Sequence, residues 1–179
     1  FDLVTPPINC WNKQGHGSLD IREAIEQSCN VFFTTIGFEL GKDSEGNFSE
    51  ARSLGMLQKY ASLMGLDQKT GIEISEASPQ VSDKNAVPSY IGQGTNTFTT
   101  SQLARYASTI ATSGTIYKLS LLDRVTDSKG KLIKEYPSET AGQLDLSSNI
   151  WDAIHDGMYR VVQTHDQFNG LGVEVAGKT

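Results

Sequence analysis

The chain has 179 residues, of which 37% are hydrophobic and 20% charged. This composition allows a single packed domain and argues against disorder. The formal net charge of -6 argues against nucleic acid and against an anionic membrane surface as partners. No apolar run reaches membrane-spanning length, and no signal-peptide pattern opens the sequence.

The two cysteines, Cys10 and Cys29, match neither a disulfide framework nor the spacing of a metal site. A disulfide between them would require an oxidising compartment and a strict geometry that sequence does not reveal. Two separate thiols are the simpler expectation, and the disulfide stays open. A catalytic Cys29 would need a histidine partner, and no spacing pairs it with His16, His155 or His165. We predict no metal ion and no cofactor.

The first predicted elements in chain order are two helices joined by a short junction. Asp20 and Glu23 have the spacing of a capping box and begin a helix over about 20–28. A second apolar run predicts a helix over about 30–40. Gly41 follows that run, and glycine is common just past a helix end.

The remaining chain predicts further helices, loops and one pair of strands. Thr99 or Thr100 caps a helix, and two glycines flanking Gln93 predict a tight loop. The loop composition around Glu73 and Glu76 predicts that both carboxylates are solvated. The predicted elements are a lead-in over 1–13, helices over about 48–64, 101–112 and 149–162, an extended piece over 70–74, and two strands within 119–136 joined at 127–130.

The junction between the first two helices carries a hydroxyl and a carboxamide two positions apart, on Ser28 and Asn30. Both side chains can point into the same cleft there, and neither residue type favours a helix interior. Ser-x-Asn alone is a weak pattern, and a plain helix cap formed by either residue is the alternative. At the other end, residues 175–179 have the pattern of a strand that carries Lys178 and Thr179.

Ser-x-Asn followed far downstream by Lys-Thr gives parts of two of the three motifs found in penicillin-binding proteins and serine β-lactamases, whose first motif is Ser-x-x-Lys. The segments Gly15–Gly17, Ser28–Phe33, Ile91–Gly94 and Val175–Thr179 occur in the family's order. On these segments, most of the chain resembles the transpeptidase domain of class B penicillin-binding proteins. The resemblance implies that the Gly-His-Gly turn around His16 is part of the structural framework and not of the site.

The resemblance implies acyl transfer, in which a serine attacks a D-Ala-D-Ala stem peptide of peptidoglycan and β-lactams trap the acyl-enzyme. It implies that Ser28 relays a proton to the leaving nitrogen and that Asn30 hydrogen-bonds the substrate amide. Lys178 would add positive charge to the cleft. Substrate contacts are implied for three further residues, which are Thr179, Gln93 and Gly94.

The resemblance also implies an α+β fold. We expect a fragment of the penicillin-binding transpeptidase fold, made of its mostly helical subdomain, a small antiparallel hairpin and the start of the Lys-Thr-Gly strand. Residues 1–179 would form a single partial domain, truncated at both ends, whose last strand needs neighbours to form. The resemblance places the nucleophile motif upstream, and Ser82-Asp83-Lys84 and Ser128-Lys129 are not expected to supply it because of their spacing. The chain by itself is therefore expected to be inactive.

Three alternatives remain open at this point. The first is a non-catalytic penicillin sensor or peptidoglycan-binding relative, the second a serine β-lactamase, and the third a plain helical interaction module, which no positive feature supports. For the leading hypothesis, the resemblance implies a parent protein anchored at the extracytoplasmic face of the bacterial cell membrane. Its implied partner is a membrane glycosyltransferase of the elongation or division machinery.

Overall fold

The computed structural model describes residues 7–179, so the first six residues of the predicted lead-in lie outside the described part. The internal contacts of the chain divide it into two compact units. Unit 1 comprises Phe1–Lys59, Ser82–Asn96 and Leu146–Thr179, and unit 2 comprises Tyr60–Val81 and Thr97–Asp145.

Unit 1 is helical, and its helices pack in pairs. α1 (Ile21–Glu26) packs against α6 (Ser148–Gln163), and α2 (Asn30–Leu40) packs against α4 (Ala86–Ser89). Its buried residues include Ala24, Cys29, Val87, Trp151 and Val161, which form a small apolar core. The elements are α1 (Ile21–Glu26), α2 (Asn30–Leu40), the first turns of α3 (Glu50–Leu63), α4 (Ala86–Ser89) and α6 (Ser148–Gln163), followed by a 3-10 turn at Asp166–Phe168.

Unit 2 combines the end of α3 with α5 (Thr100–Ala111) and two small antiparallel sheets. β2 (Arg124–Thr126) pairs with β3 (Leu132–Glu135), which confirms the predicted hairpin. β1 (Thr115–Lys118) pairs with β4 (Glu139–Gln143), a pair that the sequence did not predict. The helices and these two sheets confirm the predicted α+β class.

One predicted feature, the solvation of Glu76, differs from the structure because of long-range partners. Glu76 is half-buried and accepts hydrogen bonds from the backbone of Thr70 at 2.7 Å and from the hydroxyls of Thr70, Thr99 and Ser101. The prediction that Glu76 is solvated is therefore wrong, since its partners come from two separate segments of unit 2.

The last residues of the chain form no strand in the described part. Residues 174–179 carry no regular secondary structure, because a single strand needs a neighbour to complete its hydrogen bonds. The segment is attached to unit 1 by a backbone hydrogen bond of 3.1 Å from Gly177 N to the Met158 carbonyl of α6. None of the described helices is both long and apolar enough to cross a membrane.

Candidate functional site

Ser28 occupies the position that ends α1. The Ser28 N–H donates to the Ile25 carbonyl at 3.3 Å, and the Cys29 N–H donates to the Ala24 carbonyl at 3.1 Å. These two bonds are the Schellman motif, which places one residue in the left-handed conformation and usually selects glycine there. That residue is Ser28, with a φ of 47°, so a serine stands where the backbone favours glycine.

The helix-cap interpretation of Ser-x-Asn is not what the structure has. Asn30 is the first residue of α2, and the residue that caps α2 is Cys29, which makes no side-chain cap hydrogen bond. A non-glycine residue in the left-handed region costs about 1–2 kcal/mol, and such strain is characteristic of functional sites. Asn85 and Ser113 share this left-handed conformation, so the contact of the Ser28 hydroxyl, and not the strain, indicates its role.

The structure brings Ser28 and Lys178 together from opposite ends of the chain. The Lys178 ammonium donates a hydrogen bond to the Ser28 hydroxyl and another to the Thr179 carbonyl. Lys178 is exposed by its total surface, yet protein atoms around the ammonium remove part of its hydration and lower the pKa of Lys178. A hydroxyl bonded to an ammonium of lowered pKa is suited to moving a proton.

Apart from Thr179, whose carbonyl accepts from Lys178, the other proposed site residues lie in unit 1 without a described bond to this pair. The Asn30 amide donates to the Asn9 carbonyl at 3.0 Å, which anchors its side chain to the segment before α1. Thr179, Gln93 and Gly94 are exposed. Among residues 7–179, no hydrogen bond joins Gln93 or Gly94 to Ser28 or Lys178.

The loop around Gly94 leaves no space for a side chain at this position. Its φ is 108°, and a Cβ added there would lie 2.3 Å from the Ser89 hydroxyl and 2.9 Å from the Ser82 hydroxyl. The Ser82 hydroxyl accepts from the Thr95 N–H at 3.1 Å, and the Ser89 hydroxyl donates to the Asn85 carbonyl. The loop therefore requires glycine at this position for a local reason, whatever it binds.

A cluster of sulfur and imidazole groups lies directly behind the Ser28 junction. One ligand atom from each of Cys10, His16 and Cys29 lies within 4.8 Å of the others, and Cys10 Sγ is 3.6 Å from His16 Nδ1. His16 Nε2 is buried and has no hydrogen-bond partner among the described residues. The sequence spacing did not indicate this cluster, because the segment before α1 folds back onto the start of α2.

The cluster has the donor set of a structural metal site. Zn–S and Zn–N bonds of about 2.3 and 2.0–2.1 Å at a tetrahedral angle place two ligand atoms about 3.6 Å apart, which matches the Cys10–His16 separation. Burial raises the pKa of the Cys29 thiol. Burial also acts to raise the pKa of Cys10, but hydrogen bonds from the Asn30 and Asn12 backbone and from Cys29 outweigh it and lower the pKa. The three residues could hold a zinc ion that takes a fourth ligand from elsewhere.

The prediction that Ser128-Lys129 lacks the nucleophile spacing is wrong, since Ser128-Lys129-Gly130-Lys131 has the spacing Ser-x-x-Lys. These residues form the exposed turn between β2 and β3 in unit 2, where the Asp127 carboxylate accepts from the Lys129 and Lys131 N–H groups at 2.9 Å. In the family that the chain resembles, the nucleophile motif precedes Ser-x-Asn, whereas Ser128 follows it, so this match is not the expected nucleophile.

A cavity of about 450 Å³ lies in unit 1 away from the Ser28–Lys178 pair. It is lined by Tyr159, Val162 and Gln163 of α6 and by residues 168–175. Neither Ser28 nor Lys178 lines it. The hydroxyl–ammonium pair therefore lies outside this cavity.

The chain was compared with known proteins. The family model described as the penicillin-binding protein transpeptidase domain matches residues 3–179. Penicillin-binding protein 2B of Streptococcus pneumoniae serotype 2 (strain D39 / NCTC 7466) is 27% identical over 199 residues, which cover 97% of this chain and 29% of that protein. Peptidoglycan D,D-transpeptidase MrdA of Escherichia coli (strain K12) is 24% identical over 189 residues, which cover 94% of this chain and 28% of that protein.

A solved structure shares the fold. Penicillin-binding protein 2B from Streptococcus pneumoniae (strain 5204) superposes with a TM-score of 0.80 at 24% identity, covering 97% of this chain and 33% of that one. The chain thus spans less than a third of the length of the curated relatives it matches. The likeness confirms the expected fold, a part of a penicillin-binding transpeptidase domain.

Proposed function

The chain belongs to the penicillin-binding protein transpeptidase family, and we propose that it supplies the Ser-x-Asn motif and the first two residues of the Lys-Thr-Gly motif of a peptidoglycan D,D-transpeptidase. In that reaction a serine outside these 179 residues attacks the carbonyl of a D-Ala-D-Ala stem peptide and releases D-alanine. An amine of a neighbouring stem then takes the acyl group. The observation that supports this function most directly is the Ser28–Lys178 hydrogen bond.

Each proposed role follows from the chemistry of the group. The Ser28 hydroxyl can accept a proton and donate another, so it carries a proton to the leaving nitrogen while the Lys178 charge keeps it polarised. The exposed Lys178 ammonium also attracts the substrate carboxylate, to which Thr179 donates a hydrogen bond. Asn30 binds the substrate amide, and the loop of Gln93 and Gly94 borders the cleft.

β-Lactams are the second proposed ligand, because they present a carbonyl and a carboxylate in the arrangement of the terminal peptide. We propose further that the full-length protein acts at the extracytoplasmic face of the bacterial membrane. Its proposed partner there is a membrane glycosyltransferase, which would supply the glycan strands to be cross-linked.

Acylation by a fluorescent penicillin tests the function. The full-length protein is expected to form a covalent adduct that survives denaturing electrophoresis and is prevented by unlabelled penicillin. The 179-residue chain alone is expected to form none, since the nucleophile lies outside it. If the full-length protein forms no adduct, the proposed transpeptidase function is wrong. If the isolated chain forms an adduct, the proposal that the nucleophile lies outside it is wrong.

The pH dependence of acylation provides a separate prediction. Acylation requires the protonated Lys178, and burial lowers the pKa of this group. The acylation rate should therefore begin to fall at a pH below the ordinary lysine pKa of about 10.4. A Lys178→Arg variant stays protonated throughout this range, so its alkaline limb should move to higher pH even if its rate is lower. The check is the second-order acylation rate constant measured from neutral to alkaline pH. An alkaline limb that stays in place in the arginine variant would contradict the role of the ammonium.

A further inference from the structure

Helix α6 contacts the segments that precede Ser28 and Lys178 through two consecutive residues. Gly157 is buried against α1, and the Met158 carbonyl accepts the N–H of Gly177, the residue before Lys178. Neither residue carries a group that could react with a substrate. Both belong to unit 1, as do Ser28 and Lys178.

The contact at Gly157 leads directly to Ser28. A Cβ added to Gly157 would lie 2.8 Å from the Ile25 Cβ and 3.1 Å from the Arg22 carbonyl oxygen. Real Cβ atoms do not approach backbone and Cβ atoms so closely, so α1 sits as near to α6 as glycine permits. The Ile25 carbonyl in turn accepts the Ser28 N–H, so one hydrogen bond links the residue at the close contact to the strained serine three positions along the chain.

Charged groups also join the same two helices. The Asp156 carboxylate pairs with Arg22 of α1 at 3.2 Å and with Arg160 at 2.8 Å, and Arg160 also lies 4.0 Å from Glu26. These side chains are more than a fifth exposed, and pairs of this kind contribute little stability. The close packing at Gly157, rather than these pairs, therefore sets the position of α1 beside α6.

The second contact leads to Lys178. A carbonyl oxygen has two lone pairs, so the Met158 carbonyl can accept Gly177 at 3.1 Å in addition to its helical donor. Gly177 also faces Val162 of α6, where an added Cβ would make ordinary contact at 3.5 Å. The Lys178 backbone is thereby attached to α6 one residue along from the Gly157 contact.

We infer that Gly157 and Met158 are positioning residues that set the separation of the Ser28 hydroxyl and the Lys178 ammonium. α6 acts as a common support, since it holds α1 by close packing and the Lys178 segment by one backbone hydrogen bond. This inference rests on the proposed transpeptidase function. A displacement of about 1 Å between reacting groups can cost about 100-fold in rate, so a shift of α1 by one methyl group should appear in the chemical step.

The test uses the full-length protein and separates the acylation rate constant from the dissociation constant of fluorescent penicillin. Gly157→Ala is expected to lower the rate constant about 10- to 100-fold with little change in the dissociation constant. Gly55→Ala is the matched control, because Gly55 is also helical and a Cβ there meets nothing within 4 Å. Gly55→Ala should acylate as the wild type does.

A second pair of variants tests the hydrogen bond between Gly177 and Met158, and it remains informative if Gly157→Ala does not fold. Gly177→Pro removes the N–H that binds Met158, whereas Gly177→Ala keeps it and fits beside Val162. The proline variant should lose acylation rate, and the alanine variant should keep it. Because Gly177 lies outside the α1–α6 interface, its replacement decides the question even if Gly157→Ala does not fold.

A double-mutant cycle distinguishes positioning from general damage. In a Lys178→Ala background there is no ammonium to align, so Gly157→Ala should lower the residual rate less than it does in the wild type. Equal losses in both backgrounds, or wild-type rates in Gly157→Ala and Gly177→Pro, would overturn the inference. A wild-type protein that forms no adduct would instead count against the proposed function.

Discussion

Replacing Ser28 with glycine is expected to abolish most acylation while leaving the protein as stable as the wild type or more so. The left-handed φ of 47° suits glycine, so Ser28→Gly removes backbone strain of about 1–2 kcal/mol. Part of that gain is offset by the lost hydrogen bond from Lys178 and by the flexibility of glycine in the unfolded chain. The lost proton relay should lower the acylation rate constant about 100- to 10,000-fold.

The chain contains a matched control for this prediction at the end of α5. Ser113 has a φ of 53°, its N–H donates to the Ile110 carbonyl at 3.1 Å, and the Gly114 N–H donates to the Thr109 carbonyl at 2.8 Å. This is the same Schellman motif with serine in the glycine position. Ser113→Gly should therefore stabilise the protein by a similar amount and leave acylation unchanged.

The measurements are the second-order rate constant for fluorescent penicillin and the thermal midpoint of each full-length variant. If the Ser28 hydroxyl is functional, Ser28→Gly lowers the acylation rate constant while its thermal midpoint stays equal or rises. If Ser28→Gly destabilises the protein and keeps its activity, the hydroxyl is structural and the proton-relay role is wrong. A loss of activity in Ser113→Gly would show that relieving this kind of strain is harmful in itself.

Local structure was predictable from sequence wherever the partners lie within one turn of helix. The capping box of Asp20 and Glu23 forms as predicted, with bonds of 2.9 and 2.8 Å. Of the two candidates for the cap of α5, the structure has Thr99, which forms a second capping box with Gln102. Both signals depend on residues three apart, so no tertiary information was needed.

Features that depend on distant partners were not predictable in this way. Cys10 and Cys29 are 19 residues apart, and only the folding of the segment before α1 brings them together with His16. The prediction that Glu76 is solvated was wrong because two of its three hydroxyl partners, Thr99 and Ser101, follow more than 20 residues later. The left-handed conformation of Ser28 was missed for a different reason, since glycine is the usual signal for that conformation and a serine hides it.

The largest effect on stability is expected at Arg105, a residue that no sequence pattern singled out. Arg105 is buried on α5, with 4% of its surface exposed, and burial lowers its pKa. Its guanidinium donates to the carbonyls of Gly65, Gln68 at 2.9 Å and Lys69 at 3.0 Å. One side chain thus satisfies three acceptors in the turn that follows α3 within unit 2.

Arg105→Met should lower the free energy of unfolding of this region by about 2–4 kcal/mol, because it keeps the side-chain volume but removes every donor, and acceptors left unpaired cost about 1–3 kcal/mol each. Gln68 and Lys69 are exposed, so water can donate to their carbonyls in place of the guanidinium. The total loss of unfolding free energy is therefore smaller than the cost of three unpaired acceptors. Arg105→Lys should recover only part of the stability, since an ammonium cannot span the three carbonyls as a planar guanidinium does.

Hydrogen exchange of peptides covering residues 60–81 of the full-length protein measures this local stability directly. Faster exchange is expected there in Arg105→Met, whereas Arg124→Met should behave as the wild type. Arg124 is exposed and makes one ion pair, to Asp123 at 2.7 Å, and such surface pairs contribute about 0–1 kcal/mol. Equal exchange in the two methionine variants would mean that solvent or neighbouring groups satisfy the three carbonyls when the guanidinium is gone. The turn after α3 would then owe its conformation to Glu76 and Thr70, whose bond at 2.7 Å closes the same segment.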